Sequence, residues 1–179
     1  MSNIEHADTP DVLGEGKFLR LVSDNTWEYA SRKRGSDVVG IIAITDDDKL
    51  ILIEQYRPAV RATVVEIPAG LVGDEQSDEP VETAAARELE EETGYTCETM
   101  QAVMRGASTA GMCDEQVLML RARGLKKVSS GGGVESENIV THAVALAEVP
   151  AFLKSASDRG LAVDFKVWSA LGLIAAGWA

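Results

Sequence analysis

Gly73-Asp-Glu-Gln-Ser-Asp-Glu79-Pro-Val-Glu-Thr-Ala-Ala-Ala-Arg87-Glu88-Leu89-Glu90-Glu91-Glu92-Thr-Gly94-Tyr95 is the stretch around which the rest of the chain is organised. It carries nine acidic side chains and a single base, Arg87. Pro80 suits a first helical position and Gly94 the residue just past a helix end, which predicts a helix over about 80–92. Residues three and four apart share a helical face. Val81, Ala84 and Ala85 make a small apolar stripe on this helix, and Glu88, Glu91 and Glu92 continue it. Glu82 and Glu90 fall off the stripe and read as solvated. A charge run is ordinarily a solvated face, but here the phase turns three carboxylates inward. Half-buried carboxylates stay ionised only beside a compensating cation. A hard cation such as Mg²⁺ takes oxygen ligands and keeps waters that phosphate oxygens can replace. Arg87, four before Glu91, can pair with it and fix its rotamer. Glu79 lies at the helix start, where an acid favours the positive end of the dipole. Gly73 permits a tight loop before it.

The whole chain sets the frame. Its 179 residues are one domain by default, with room for a small appendage. The apolar and charged shares, 45% and 26%, are those of a soluble globular protein. No apolar run reaches the roughly 18–20 residues of a membrane-spanning helix. The polar start, MSNIEHADTPD, is neither a signal nor a transit peptide. Two cysteines, Cys97 and Cys113, make no disulfide framework, so a cytoplasmic setting is expected. The 73–95 stretch carries −8 of the net charge of −12, leaving −4 for the remainder. With no basic face, neither nucleic acid nor an anionic membrane is expected as a partner. An acidic site takes a polyphosphate only through bridging divalent cations.

Around the acidic helix the pattern alternates strands and helices. A hairpin is predicted over 16–33, with strands at 17–22 and 26–32. A second hairpin is predicted from 38–44 and 49–56 around Asp46-Asp47-Asp48. A short strand at 64–67 ends at Pro68-Ala69-Gly70. Strands follow near 97–105, 116–124 and 138–146. Helices near 148–157 and 164–176 close the chain, the last with Asp164 as N-cap. This order predicts a mixed sheet with helices on its faces.

The 73–95 stretch resembles the Nudix box, G-x5-E-x7-R-E-U-x-E-E-x-G-U, with U a bulky apolar residue. Gly73, Glu79, Arg87, Glu88, Glu91, Glu92 and Gly94 match its seven fixed letters; Leu89 fits the first U and Tyr95 departs mildly at the second. Seven chance matches at fixed spacing come to about one in 10⁸ per window at ordinary residue usage, and the glutamate bias of this stretch weakens that by a few tens-fold. The resemblance implies an α+β Nudix fold (an α/β/α sandwich with a mixed β-sheet) and Mg²⁺-dependent hydrolysis of a nucleoside diphosphate linked to another group, Mn²⁺ being a possible substitute. By position, Glu88 and Glu92 would be the main metal ligands. Glu91 would be a ligand or would orient the attacking water, and the Ala69 carbonyl would complete the shell.

The flanks Trp27-Glu28-Tyr29-Ala30-Ser31-Arg32, Glu54-Gln55-Tyr56-Arg57-Pro58 and Glu66-Ile67-Pro68-Ala69-Gly70-Leu71 resemble the ADP-ribose and nucleoside-diphosphate-sugar pyrophosphatase branch. Trp27 can stack on a base or pack as a strand aromatic. Glu28 can accept from a base edge. Arg32 and Arg57 can clamp a diphosphate or make surface salt bridges. Glu66 would contact the terminal sugar. The resemblance further implies a homodimer with exchanged N-terminal strands, dividing the chain into a dimerisation and base-binding extension (1–36) and a catalytic domain (37–179). It implies a glutamate in the Gly131–Glu137 loop that deprotonates water, Glu137 by best match, with Glu135 in reserve or on the substrate. Gly111 is expected at the substrate within Ser108–Glu115. That stretch lacks the proline usual in the branch, Thr109 or Ala110 standing in its place, which leaves room for GDP-mannose beside ADP-ribose. Rival readings are a Nudix enzyme for dinucleoside polyphosphates or nucleoside triphosphates, and a non-catalytic sugar-nucleotide sensor. Cys113 carries no metal or nucleophile pattern, and His142 and His6 are not expected in the chemistry.

Overall fold

The structure is a computed structural model and describes residues 9–33, 37–72, 79–133 and 138–179. Its strands are β1 (Asp11–Glu15), β2 (Leu19–Asp24), β3 (Trp27–Arg32), β4 (Asp37–Ala43), β5 (Lys49–Arg57), β6 (Ala62–Glu66) and β7 (Ala69–Val72). After helix α1 (Val81–Thr93) come β8 (Tyr95–Thr96), β9 (Thr99–Ala107), β10 (Gln116–Arg123), β11 (Lys126–Lys127) and β12 (Val140–Ala145). Helix α2 (Val149–Asp158), strand β13 (Ala162–Val163) and helix α3 (Phe165–Ala175) close the chain.

Two four-stranded sheets make the middle layer, in the orders β7-β4-β10-β9 and β12-β5-β6-β13. The first is mixed: β4 lies parallel to β10 and antiparallel to β7. Alternation along β4 decides which helix each side chain meets. Val39, Ile41 and Ala43 turn to one face and pack with Ala84, Ala85 and Leu89 of α1. Ile42 turns to the other and joins Val149, Leu153 and Ala156 of α2 with Val167, Ala170 and Leu173 of α3. A residue of alternating apolar type on a strand covered on both faces is what a three-layer α/β/α sandwich requires.

Several expectations are corrected here. The predicted second hairpin does not form: β4 and β5 belong to different sheets, and only the isolated Ile44–Leu50 bridge joins them across the Asp46–Asp48 turn. The residues after Pro68 form a further strand, β7, paired with β4 through Gly40–Ala69 to Asp37–Val72. Helix α1 begins at Val81, with Pro80 as the residue before it, its carbonyl accepting from Thr83 and Ala84 N–H. The N-terminal hairpin carries a further strand, giving the sheet β1-β2-β3. That sheet is joined to the remainder by the bridge between Ala30 and Cys113, flanked by Ala30 N–H to Met112 O (2.8 Å) and Asp114 N–H to Ala30 O (3.3 Å). Among the described residues, no helix is long and apolar enough to cross a membrane.

Candidate active site

Helix α1 presents its carboxylates as its phase requires. Glu92 is buried, Glu88 and Glu91 are half-buried, and Glu82 and Glu90 face solvent. Arg87 runs through the set. Its Nη1 donates to Glu91 Oε2 (3.1 Å), while its Nη2 lies 3.1 Å from Glu88 Oε1 and 3.8 Å from Glu79 Oε2. One guanidinium thus spans three of the acids and offsets their mutual repulsion.

The helix end is held from a distance. Gly94 adopts φ +72, and a Cβ there would meet Ser129 O at 2.2 Å. Gly131 is packed against the same point, where its own Cβ would meet the Thr93 carbonyl carbon at 2.4 Å. These two bare backbones let the 129–133 segment reach the last turn. Gly132 N–H donates to Glu92 O (2.9 Å) and Gly133 N–H to Glu91 O (3.0 Å), satisfying carbonyls that a helix end leaves open. Lys127 Nζ donates to Thr93 O (2.5 Å), a cation at the negative end of the dipole. Burial pushes the Lys127 ammonium below its usual range.

The Pro68-Ala69-Gly70 turn docks onto the other side of the acids. Ile41 N–H donates to Pro68 O (2.8 Å), fixing the turn to the sheet. Ala69 N–H donates to Glu92 Oε2 (3.1 Å). A Cβ on Gly70 would meet Glu88 Cγ at 2.3 Å and Cδ at 2.5 Å, so only glycine leaves Glu88 its place. Among the described residues no three metal-binding side chains converge into a ready cation cluster. The donors around Ala69, Glu88 and Glu92 are nonetheless all hard oxygens or backbone groups, the chemistry a small divalent cation takes.

From Ala69 and Gly70 a cleft of about 550 Å³ opens toward β6 and the start of α3. Arg32, Arg57, Glu66 and Ala69 line it together. Arg57 donates through Nε to Glu66 Oε1 (2.7 Å) and through Nη2 to Glu66 Oε2 (2.6 Å). Those bonds, and the charges of Glu66, Glu92 and Asp164, hold the guanidinium above its usual pKa against the opposing effect of burial. Glu66, expected at a sugar, is buried with both oxygens on Arg57. Arg32 donates through Nε (3.0 Å) and Nη2 (2.6 Å) to a single oxygen of Glu115. Glu115, Asp164 and Lys166 also line the cleft and were missed. Asp164 was legible only as an N-cap, a role it fills by accepting from Lys166 N–H (2.6 Å).

The remaining residues fall elsewhere. Arg87 and Glu91 line a second cleft, of about 750 Å³, with Ser129, Gly131 and Gly133. Trp27, 59% exposed, lines a third of about 390 Å³ with Tyr29, Ala110, Cys113 and Asp114. Strand alternation turns Glu28 to the opposite face from Trp27. Gly111 sits in open space in the 108–115 loop. Glu137, Glu135 and Gly73 lie outside the described residues, as does His6. His142 packs on Phe152, its Nε2 3.3 Å from Glu54 Oε1 but not aligned for a hydrogen bond. Burial pushes the Cys97 thiol up, away from nucleophile chemistry.

Comparison with known proteins agrees with this geometry. The NUDIX domain model matches residues 36–111. An uncharacterized Nudix hydrolase of Schizosaccharomyces pombe is 32% identical over 160 residues, 82% of this chain and 77% of that protein. The chain belongs to the Nudix hydrolase family. Within it the similarity is to the ADP-ribose and ADP-sugar pyrophosphatase branch. The ADP-ribose pyrophosphatase of Bacillus subtilis is 36% identical over 102 residues, 57% of this chain and 54% of that protein. The methanol dehydrogenase activator of Bacillus methanolicus is 40% identical over 107 residues, 60% of this chain and 56% of that protein. The matched segments thus span about half the length of these two relatives, 56% and 54%. The crystal structure of an ADP compounds hydrolase has the same fold, with a TM-score of 0.75 at 21% identity over 97% of this chain and 94% of that one.

Proposed function

We propose that this protein hydrolyses the pyrophosphate bond of nucleoside diphosphate sugars to a nucleoside monophosphate and a sugar phosphate, with ADP-ribose the first substrate and GDP-mannose the second. The observation that carries the reading is the pair Arg32 and Arg57 in one cleft that ends on the Ala69-Gly70 backbone docked against Glu88 and Glu92. Two guanidiniums suit two phosphate groups. Magnesium would be held by Glu88 and Glu92, with Glu91 and the Ala69 carbonyl beside them, and manganese would substitute. When bound, the cation neutralises phosphate oxygens and acidifies water. Arg87 keeps the acids in place while the site is being filled. Water attacks one phosphorus, the bridging P–O bond breaks, and Glu137 accepts the proton of the water. Trp27 takes the base in the third cleft. Residues 1–36 serve dimerisation and base binding; the exposed Val12, Leu13, Phe18, Leu19 and Leu21 of the N-terminal sheet suit a homodimer.

The test is phosphate release from a panel after alkaline phosphatase treatment: ADP-ribose, ADP-glucose, GDP-mannose, UDP-glucose, NADH, diadenosine polyphosphates and nucleoside triphosphates, each with Mg²⁺. Turnover of sugar nucleotides that disappears in Glu92→Gln supports the reading. Turnover confined to triphosphates or dinucleoside polyphosphates overturns the substrate class. A second reading, a sugar-nucleotide-responsive regulator of a partner enzyme, draws on the similarity to a dehydrogenase activator. Binding without turnover across the panel would favour it.

A further inference from the structure

Both arginines of the cleft beside Ala69 are gripped along the same edge, Nε and Nη2, by a carboxylate. For Arg57 the partner is Glu66, on the neighbouring strand. For Arg32 it is Glu115, 83 residues away in sequence. A guanidinium has five N–H donors in a rigid fork. An acid on the Nε–Nη2 edge occupies two and leaves the Nη1 end for an oxyanion. Arg57 and Arg32 are thus built to one plan.

We propose that Glu115 is a positioning residue for substrate binding: it holds Arg32 so that the free end of its fork faces the diphosphate. The proposal rests on the reading of the cleft as a nucleoside diphosphate site. Two effects compete. Glu115 neutralises part of the charge that would attract an anion, and it removes the rotamer freedom that Arg32 would lose on binding. The pair is partly exposed, with 34% of the Arg32 side chain and 24% of the Glu115 side chain accessible, so solvent screens the first effect. An arginine side chain is rich in rotamers and loses much of that freedom on binding unless it is already held, so the second effect wins.

The backbone supports the same assignment. Met112, Cys113 and Asp114 run alongside Ala30 of β3, joined by the bonds that tie the N-terminal sheet to the remainder. Glu115 and Arg32 are the next step of that seam. The loop that walls the Trp27 cleft with Ala110, Cys113 and Asp114 therefore ends on the residue that aims Arg32. A base in one cleft and a diphosphate in the other meet surfaces set by one segment.

The alternative is a mere tether, in which Glu115 only fastens β3 to the loop. A double-mutant cycle on the full chain separates the two. Arg32→Ala, Glu115→Ala, Glu115→Gln and the double variant Arg32→Ala/Glu115→Ala are compared by steady-state hydrolysis of ADP-ribose with Mg²⁺. The same variants are compared by calorimetric binding of the non-hydrolysable α,β-methylene analogue of ADP-ribose with Mg²⁺ present, and by thermal melting. Glu115→Ala is expected to raise KM and weaken analogue binding about ten-fold, with kcat within about two-fold. Glu115→Gln, which keeps an oxygen for Nε and Nη2, is expected to recover most of the loss. In the Arg32→Ala background, Glu115→Ala is expected to change either readout by less than about two-fold, because its effect runs through Arg32. A full ten-fold loss in both backgrounds, or a drop in kcat and melting temperature with KM unchanged, overturns the proposal in favour of the tether. If no sugar nucleotide is turned over, the hydrolytic reading falls while the binding cycle still decides Glu115. If wild-type protein does not bind the analogue at all, the proposal falls with it.

Discussion

Replacing Gly70 by alanine should disable the site while leaving the fold nearly intact. The new Cβ would stand 2.3 Å from Glu88 Cγ, 2.5 Å from its Cδ and 3.0 Å from its Oε1, against ordinary contacts of 3.4 Å or more. Something must yield by about 1 Å, and misplacing a reacting group by that much costs about 10²-fold in rate. The Gly70 backbone is fixed in β7, paired with Val39. Glu88 is half-buried with rotatable bonds, so the side chain moves rather than the strand. The stability cost should be small, about 1 kcal/mol, because the contact is with a side chain and not with backbone. For a chain of this size that is about 2–4 °C in Tm. The assay is hydrolysis of ADP-ribose across a Mg²⁺ titration, with a melting curve on the same preparation. The expected result is a Mg²⁺ midpoint raised at least several-fold, kcat lowered about 10²-fold, and a modest Tm change. Wild-type kcat and midpoint in a folded Gly70→Ala protein would refute the reasoning, because Glu88 would then be free to leave its place without consequence.

Gly94→Ala places a Cβ at φ +72 and 2.2 Å from Ser129 O, a backbone atom that cannot step aside. It should cost about 2 kcal/mol or more, read as a Tm drop of several degrees. Trp27→Ala removes an exposed ring, so Tm should hold while KM for a sugar nucleotide rises about ten-fold, the range of one base–aromatic stack. Arg57→Lys keeps the charge but cannot span both oxygens of Glu66, and kcat/KM should fall about 10-fold or more through KM.

The acidic helix was legible because its information is local. Helical phase alone placed Glu92 inside and Glu82 and Glu90 outside, and Gly94 marked the end it occupies. Pairing between strands is not local, and there the reading failed. Asp46-Asp47-Asp48 announces a turn but not which sheet each flanking strand joins, and β4 finds β10 some 80 residues on instead of β5. The four residues of β7 contain a glycine and no alternation long enough to register, so only their ladder with β4 reveals them. The same holds within the site. Arg32 and Arg57 are readable as phosphate groups' partners by type, whereas the acids that aim them depend on register: Glu66 lies across a strand pair and Glu115 across the seam to the N-terminal sheet. Glu28 shows the converse, a residue next to Trp27 in sequence that strand geometry turns the other way.

The closure of the α1 end by Gly132 and Gly133 gives the protein a built-in order of assembly. The carbonyls of Glu91 and Glu92 find their partners about 40 residues downstream, beyond four intervening strands. Helix formation is fast and local, while contacts of long sequence separation come late. A nascent or partly unfolded chain can therefore hold α1 as a helix without its last turn being set, and the carboxylates take up their working arrangement only once the second half of the molecule has docked. On the proposed function, competence for hydrolysis is in this sense a report on complete folding, and its return during refolding should lag behind the recovery of helical signal.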